Sequence, residues 1–265
     1  SLNKIDSTRN EVHVIGIARE IKEKDGKIIV DLEDKTATVP VIFDSIEDLE
    51  LDDVIAVRAL AGGKVLFGKK IIYPDIPLRT PAAGIGKACF VSDLQLDVAA
   101  PADITRFFEW FSQSDITYLF VAGGVGNRKE LEKYVDRYCY MKTVFMISDD
   151  GEHPGLPDIY ESKKIVSLSS PAIVELGGLK ILIVRHGDTT MLKKRYMGKS
   201  RAIFDEDYLV LDEVPDIVHT GGEDASVTNY KSVTLVSSGS VLREFRPIVV
   251  DFATRDVEKV NIGVK

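Results

Sequence analysis

Between Glu11 and Ile72 the chain divides into five short β-forming runs, Val12–Ile17, Lys27–Leu32, Thr38–Phe43, Val54–Ala59 and Lys64–Ile72, about ten residues apart. This rhythm limits the possible folds more than any other feature. Asp25-Gly26 and Gly62-Gly63 are turn pairs that let the backbone reverse between antiparallel strands. A small sheet of this kind protects its edges best by closing on itself, so an OB-type barrel is expected. The stretch Asp44–Asp53 fits the helix or loop between its third and fourth strands. Pro74-Asp-Ile-Pro77 and Pro81-Ala-Ala-Gly84 then punctuate the chain and place a boundary near Arg79. Residues 1–79 are read as one domain and residues 80–265 as a second.

Beyond that boundary strands alternate with helices. Lys87–Ser92, Tyr118–Ala122 and Thr143–Ile147 read as buried strands, separated by helices over Ala102–Gln113 and Lys129–Tyr140. Phe107, Phe108, Trp110 and Phe111 recur at helical spacing and are expected in the core. From Lys164 strands dominate: Ala172–Glu175, Leu179–Arg185, Ile217–Thr220, Ser232–Ser237, Ile248–Phe252 and Lys259–Ile262. Two sheets packed face to face with flanking helices use all of them. The fold class is therefore α/β with an all-β N-terminal part.

A net charge of −8 and a pI near 5.2 argue against a general nucleic-acid coat, which needs clustered Lys and Arg to neutralise phosphates. The barrel region from Glu11 to Ile76 carries 14 acidic and 9 basic residues, and its aromatics are Phe43, Phe67 and Tyr73. That is poor equipment for stacking and tracking a single strand, so a protein-facing barrel is expected. The densest basic run holds Lys193, Lys194, Arg195, Lys199 and Arg201. It reads equally as a contact for DNA phosphates or an acidic partner and as a solvated loop. Cys89 and Cys139 are read as reduced core residues. No run approaches the roughly 20 apolar residues that span a bilayer, and no leader opens the chain, so a soluble cytoplasmic protein is expected.

Three stretches are distinctive: Ile71-Ile-Tyr-Pro-Asp-Ile-Pro-Leu78, Phe90-Val-Ser-Asp93 and Leu211-Asp-Glu-Val-Pro-Asp-Ile-Val-His-Thr-Gly221. With the order of barrel, linker and strand-end loops, they resemble the small subunit of archaeal family-D DNA polymerase. They are similar, more distantly, to the B subunits of eukaryotic replicative polymerases. The resemblance runs from about Glu11 to the end of the chain. It implies an OB barrel followed by a calcineurin-like metallophosphoesterase sandwich. Archaeal members are typically Mn-dependent 3′–5′ proofreading exonucleases, whereas the eukaryotic B subunits are scaffolds.

The resemblance also assigns metal-ligand positions, and most are altered here. Asp93 is kept, but Gln95 stands where the family has a histidine. Gly124 replaces the carboxylate that bridges two ions and holds them about 3.5–4 Å apart for in-line attack. Asn127 replaces a second aspartate. Asp150 remains while Gly151 replaces a histidine, and the His186-Gly187 pair is kept. In the last corner Gly222 and Asp224 replace both imidazoles, which in a metal site supply neutral nitrogens.

The resemblance with these losses implies a non-catalytic accessory subunit serving DNA replication or repair, with no cofactor. Its partner is expected to be a large polymerase subunit or another replication or repair protein; DNA is reached through the complex and no membrane is involved. The alternative is a 3′–5′ exonuclease or phosphodiesterase with one Mn or Mg ion on Asp93, Asp150, His186 and Asp224. A free-standing single-strand binder is the third reading. Read without chemistry, Asp93 caps a turn, and His153, His186 and His219 are structural or exposed.

Overall fold

The computed structural model describes residues 1–5, 10–148, 155–200, 205–243 and 245–262. It divides into two compact units, one formed by Ser1–Ile76 with Leu192–Arg195 and the other by Pro77–Met191 with Tyr196–Lys265.

The first unit is a closed five-stranded barrel of β1 (Glu11–Lys24), β2 (Lys27–Glu33), β3 (Thr38–Phe43), β4 (Val54–Ala61) and β5 (Leu66–Ile72), in the order β1-β2-β3-β5-β4. β3 and β5 pair in parallel, and β4 closes antiparallel on β1 with Val14 opposite Val57. Alternating residues Val14, Val30, Leu32, Val41, Ile55, Val57 and Leu66 point inward and fill the core together with Leu2 and Phe43. Gly68 is required here, because a Cβ at that position would meet the Phe43 ring 2.2 Å away. β1 runs seven residues past the predicted Ile17 because β2 continues to pair with it beyond a bulge at Ala18–Glu20. Asp44–Asp53 forms turns rather than a helix.

The second unit has three layers. A six-stranded sheet, order β16-β15-β6-β7-β8-β9, contains β6 (Lys87–Val91), β7 (Tyr118–Val121), β8 (Thr143–Ile147), β9 (Ile165–Leu168), β15 (Ile248–Asp251) and β16 (Val257–Lys259). One face is covered by α1 (Pro101–Gln113) and α2 (Arg128–Tyr138), whose Phe107, Phe108, Phe111, Leu131 and Val135 are fully buried. Its other face packs through Phe90, Phe120 and Phe252 against Ile181, Ile183, Ile217 and Val236 of a five-stranded sheet. That sheet, order β10-β11-β12-β14-β13, holds β10 (Ala172–Leu176), β11 (Leu179–Val184), β12 (Ile217–Thr220), β13 (Ala225–Tyr230) and β14 (Val233–Ser238). The single-turn α3 (Thr189–Lys194) follows β11. The two-sheet α/β sandwich expected from the sequence is the observed one.

The Val-Pro-Asp-Ile motif is built into this frame. Asp216, which immediately precedes β12, is 3 % exposed. Its carboxylate accepts from Arg79 Nη2 at 2.6 Å and from the Lys180 amide at 2.8 Å, while Arg79 also donates to the Pro215 carbonyl. The motif therefore fixes the start of a central strand to the segment that enters the sandwich.

Candidate functional site

Parallel strands β6, β7 and β8 of one sheet, and β11, β12 and β14 of the other, end in loops carrying the positions the sequence analysis singled out. In open α/β sheets the carboxyl ends of parallel strands are where ligands are usually bound. The loop after β6 carries Asp93 and Gln95, both with left-handed backbones at φ +50° and +47°. The loop after β7 carries Gly123 and Gly124 at φ +71° and +70°.

These two loops are zipped together along their backbones. The amides of Asp93, Gln95 and Leu96 donate to the carbonyls of Gly123, Gly124 and Val125 at 3.0, 2.9 and 2.9 Å. A Cβ on Gly124 would lie 2.3 Å from Asp93 Oδ1 and 2.5 Å from its Cα. Asp93 has thus closed over the space that any side chain at position 124 would need.

Asp93 survives, but its charge is committed. Arg185, the residue after β11, donates from Nη1 to Asp93 Oδ2 at 2.9 Å and from Nη2 to Asp93 Oδ1, and Nη1 also reaches the Ala122 carbonyl at 2.8 Å. The side chains are only 17 % and 11 % exposed, so this two-point ion pair sits where solvent screens it weakly. Asp93 accepts from this guanidinium, which is not the turn cap its position suggested. Arg185 is the residue that sequence reading missed. A lone arginine leaving an apolar strand looks like a surface charge, and its one hint is that it directly precedes the retained His186-Gly187 pair.

The other described positions make different contacts. His186 and Gly187 are exposed. Asp224 is 84 % exposed and faces Arg243 at 3.6 Å, which also binds Glu223 at 2.7 Å. A Cβ at Gly222 would come within 2.6 Å of Ser237 Oγ. Asn127 has become a helix cap, its Oδ1 accepting from the Glu130 amide at 3.1 Å and opening α2. Asp150, Gly151 and His153 lie outside the described residues. Among the described residues no group of three or more His, Cys, Asp or Glu side chains is arranged to hold a metal ion.

His219, in β12, is fully buried, edge-on to Phe90 at 5.0 Å, with Nε2 against Ser238 Oγ at 2.9 Å and Nδ1 without a hydrogen-bond partner. Burial, and secondarily the nearby Arg185 charge, holds its pKa down at about 3. It is a neutral core histidine. Among the described residues this set does not fit a pair of divalent ions: the Asp93 carboxylate is paired with Arg185, position 124 has no room for a side chain, and Gly222 and Asp224 offer no imidazole.

The basic run is also largely accounted for. Lys193 pairs with Asp48 at 3.0 Å and covers the Tyr73 ring at 4.7 Å, and Lys194 pairs with Asp53 at 2.9 Å and with Glu50 at 3.7 Å. Three carboxylates of the acidic Asp44–Asp53 segment are thus met by the chain's own lysines. Arg195 and Lys199 each have partners too, and Arg201 lies outside the described residues. Of the barrel aromatics, Phe43 is buried and Phe67 is half exposed.

The chain thus combines a closed five-stranded barrel with a two-sheet α/β unit whose parallel strands end in loops around the paired Asp93 and Arg185. In sequence the chain is related to the DNA polymerase II small subunits of archaea. It is 24 % identical over 311 aligned positions to that of Methanothermobacter thermautotrophicus, covering 86 % of this chain and 64 % of the relative. It is 25 % identical to that of Halobacterium salinarum (96 % and 67 % covered) and 26 % identical to that of Pyrococcus abyssi (87 % and 51 % covered). The chain thus spans between one half and two thirds of the length of these relatives. No family model matches it. Among solved structures, Vps29 of Cryptosporidium parvum superposes with a TM-score of 0.41 at 16 % identity, covering 68 % of this chain and 88 % of Vps29.

Proposed function

We propose that this chain is a non-catalytic accessory subunit of an archaeal-type replicative DNA polymerase, working in the cytoplasm as a scaffold for a larger catalytic polymerase subunit and reaching DNA through that complex. The relatives' shared name, a small subunit, supports the partnership. Among the described residues no helix is long and apolar enough to cross a membrane. The observation that carries the non-catalytic part is the Arg185 guanidinium spread across both oxygens of Asp93 beside a closed Gly124 position. Without a shared carboxylate there is nothing to hold two ions for in-line attack on a phosphodiester.

Incubating the purified chain with Mn²⁺ on single-stranded and mismatched primer ends tests this reading. No 3′–5′ cleavage above background is expected, with or without Asp93→Ala. Robust cleavage that Asp93→Ala abolishes would establish the reduced-site exonuclease instead. Partnership is tested by co-expressing the chain with the large polymerase subunit of its own cell: a stable complex is expected, and two separately eluting proteins would contradict it.

A further inference from the structure

We infer that Arg185 is the resident cation of this site, a guanidinium supplied by the chain in the place beside Asp93 that a divalent ion would otherwise take, and that its removal converts the site into one that accepts a cation from solution. The inference deepens the non-catalytic reading and rests on it.

Three oxygens converge at this point: both carboxylate oxygens of Asp93 and the carbonyl of Ala122. Such a set of hard oxygens, one of them anionic, is what Mg²⁺ or Mn²⁺ would seek. All three accept from Arg185. The planar fork matches a carboxylate at two points, which the point charge of a lysine would not.

The surroundings are shaped to this side chain. A Cβ on Gly221 would fall 2.4 Å from Arg185 Nη1 and 3.2 Å from the Ala122 carbonyl, so the first residue of the corner is glycine where the guanidinium passes. The Gly221 amide donates to the Arg185 carbonyl at 3.1 Å, tying the loop after β12 to the same residue. Arg185 therefore joins three strand ends: β6 through Asp93, β7 through Ala122 and β12 through Gly221. Removing its side chain leaves a buried carboxylate and a carbonyl facing a guanidinium-sized space.

The experiment compares wild type, Arg185→Ala and Arg185→Ala/Asp93→Asn by thermal unfolding and by the loss of free-Mn²⁺ EPR signal. Wild type should show no Asp93-dependent Mn²⁺ uptake and no rise in Tm with millimolar Mn²⁺ or guanidinium ion. Arg185→Ala should lose on the order of 10 °C in Tm. It should then recover part of that loss on adding either cation, since a ligand bound only by the folded state stabilises it by mass action. The double variant should lose the rescue. An Arg185→Ala protein as stable as wild type, or one that neither cation rescues, overturns the inference. Should Arg185→Ala not fold, wild type and Asp93→Asn decide it: Mn²⁺ uptake by wild type that Asp93→Asn abolishes overturns the inference, and equal absence of uptake at this site sustains it. Asp93-dependent Mn²⁺ uptake by wild type without cleavage would sink the resident-cation idea and leave the scaffold reading standing; cleavage by wild type in the nuclease assay would sink the scaffold reading itself.

Discussion

His219 shows how a single side chain records the change in this site. Its protonated form is excluded from the folded core down to about pH 3, whereas in the unfolded chain it titrates near 6.5. Below pH 6.5 the unfolded state therefore binds more protons than the folded one, and stability falls as pH falls. The slope approaches about 1.4 kcal/mol per pH unit for one such group. Urea midpoints measured between pH 6.5 and pH 4.5 should show this decline, and His219→Gln should flatten it; an equally steep decline in the variant would mean that His219 is not the group responsible. That Gly124 and Gly222 have no side chain with which to coordinate is read directly from the sequence. Arg185 was not, since its meaning depends on a carboxylate 92 positions away, and no local pattern records that pairing.

Among the secondary-structure elements, β12 is held at its start by a buried carboxylate, Asp216. Asp216→Ala would leave Arg79 without its carboxylate and the Lys180 amide without its acceptor at the start of β12. The loss should be about 3 kcal/mol, toward the low end for breaking a buried pair because Arg79 is one-third exposed. A urea denaturation curve measures it, and a loss within experimental error would show that the motif does not anchor the strand. Most strands were readable because alternation in the barrel, and apolar runs such as residues 181–184 in the sandwich, are direct imprints of burial on one face or two. β13 was not, since Ala225–Tyr230 is an edge strand with a largely polar, half-exposed sequence. Nor was α3, whose six residues are too few to show a helical period. The last strand was placed too late: Val257–Lys259 pairs with β15, and Lys259–Ile262 mostly lies beyond the ladder.

For the whole molecule, charge sets the expectation for nucleic acid. A chain of net charge −8 whose Lys193 and Lys194 are already paired with acidic residues should hold single-stranded oligonucleotides weakly on its own. Fluorescence anisotropy at micromolar protein should show little binding at physiological salt, whereas tight, salt-sensitive binding would favour a free-standing single-strand binder. Whether a fixed side-chain cation stands in place of metal at the strand ends is decided by X-ray data collected at the manganese absorption edge from crystals of the wild-type protein soaked in Mn²⁺. Guanidinium density across the Asp93 carboxylate with no anomalous peak there is expected; two peaks about 3.5–4 Å apart beside Asp93 would show a working metal pair instead.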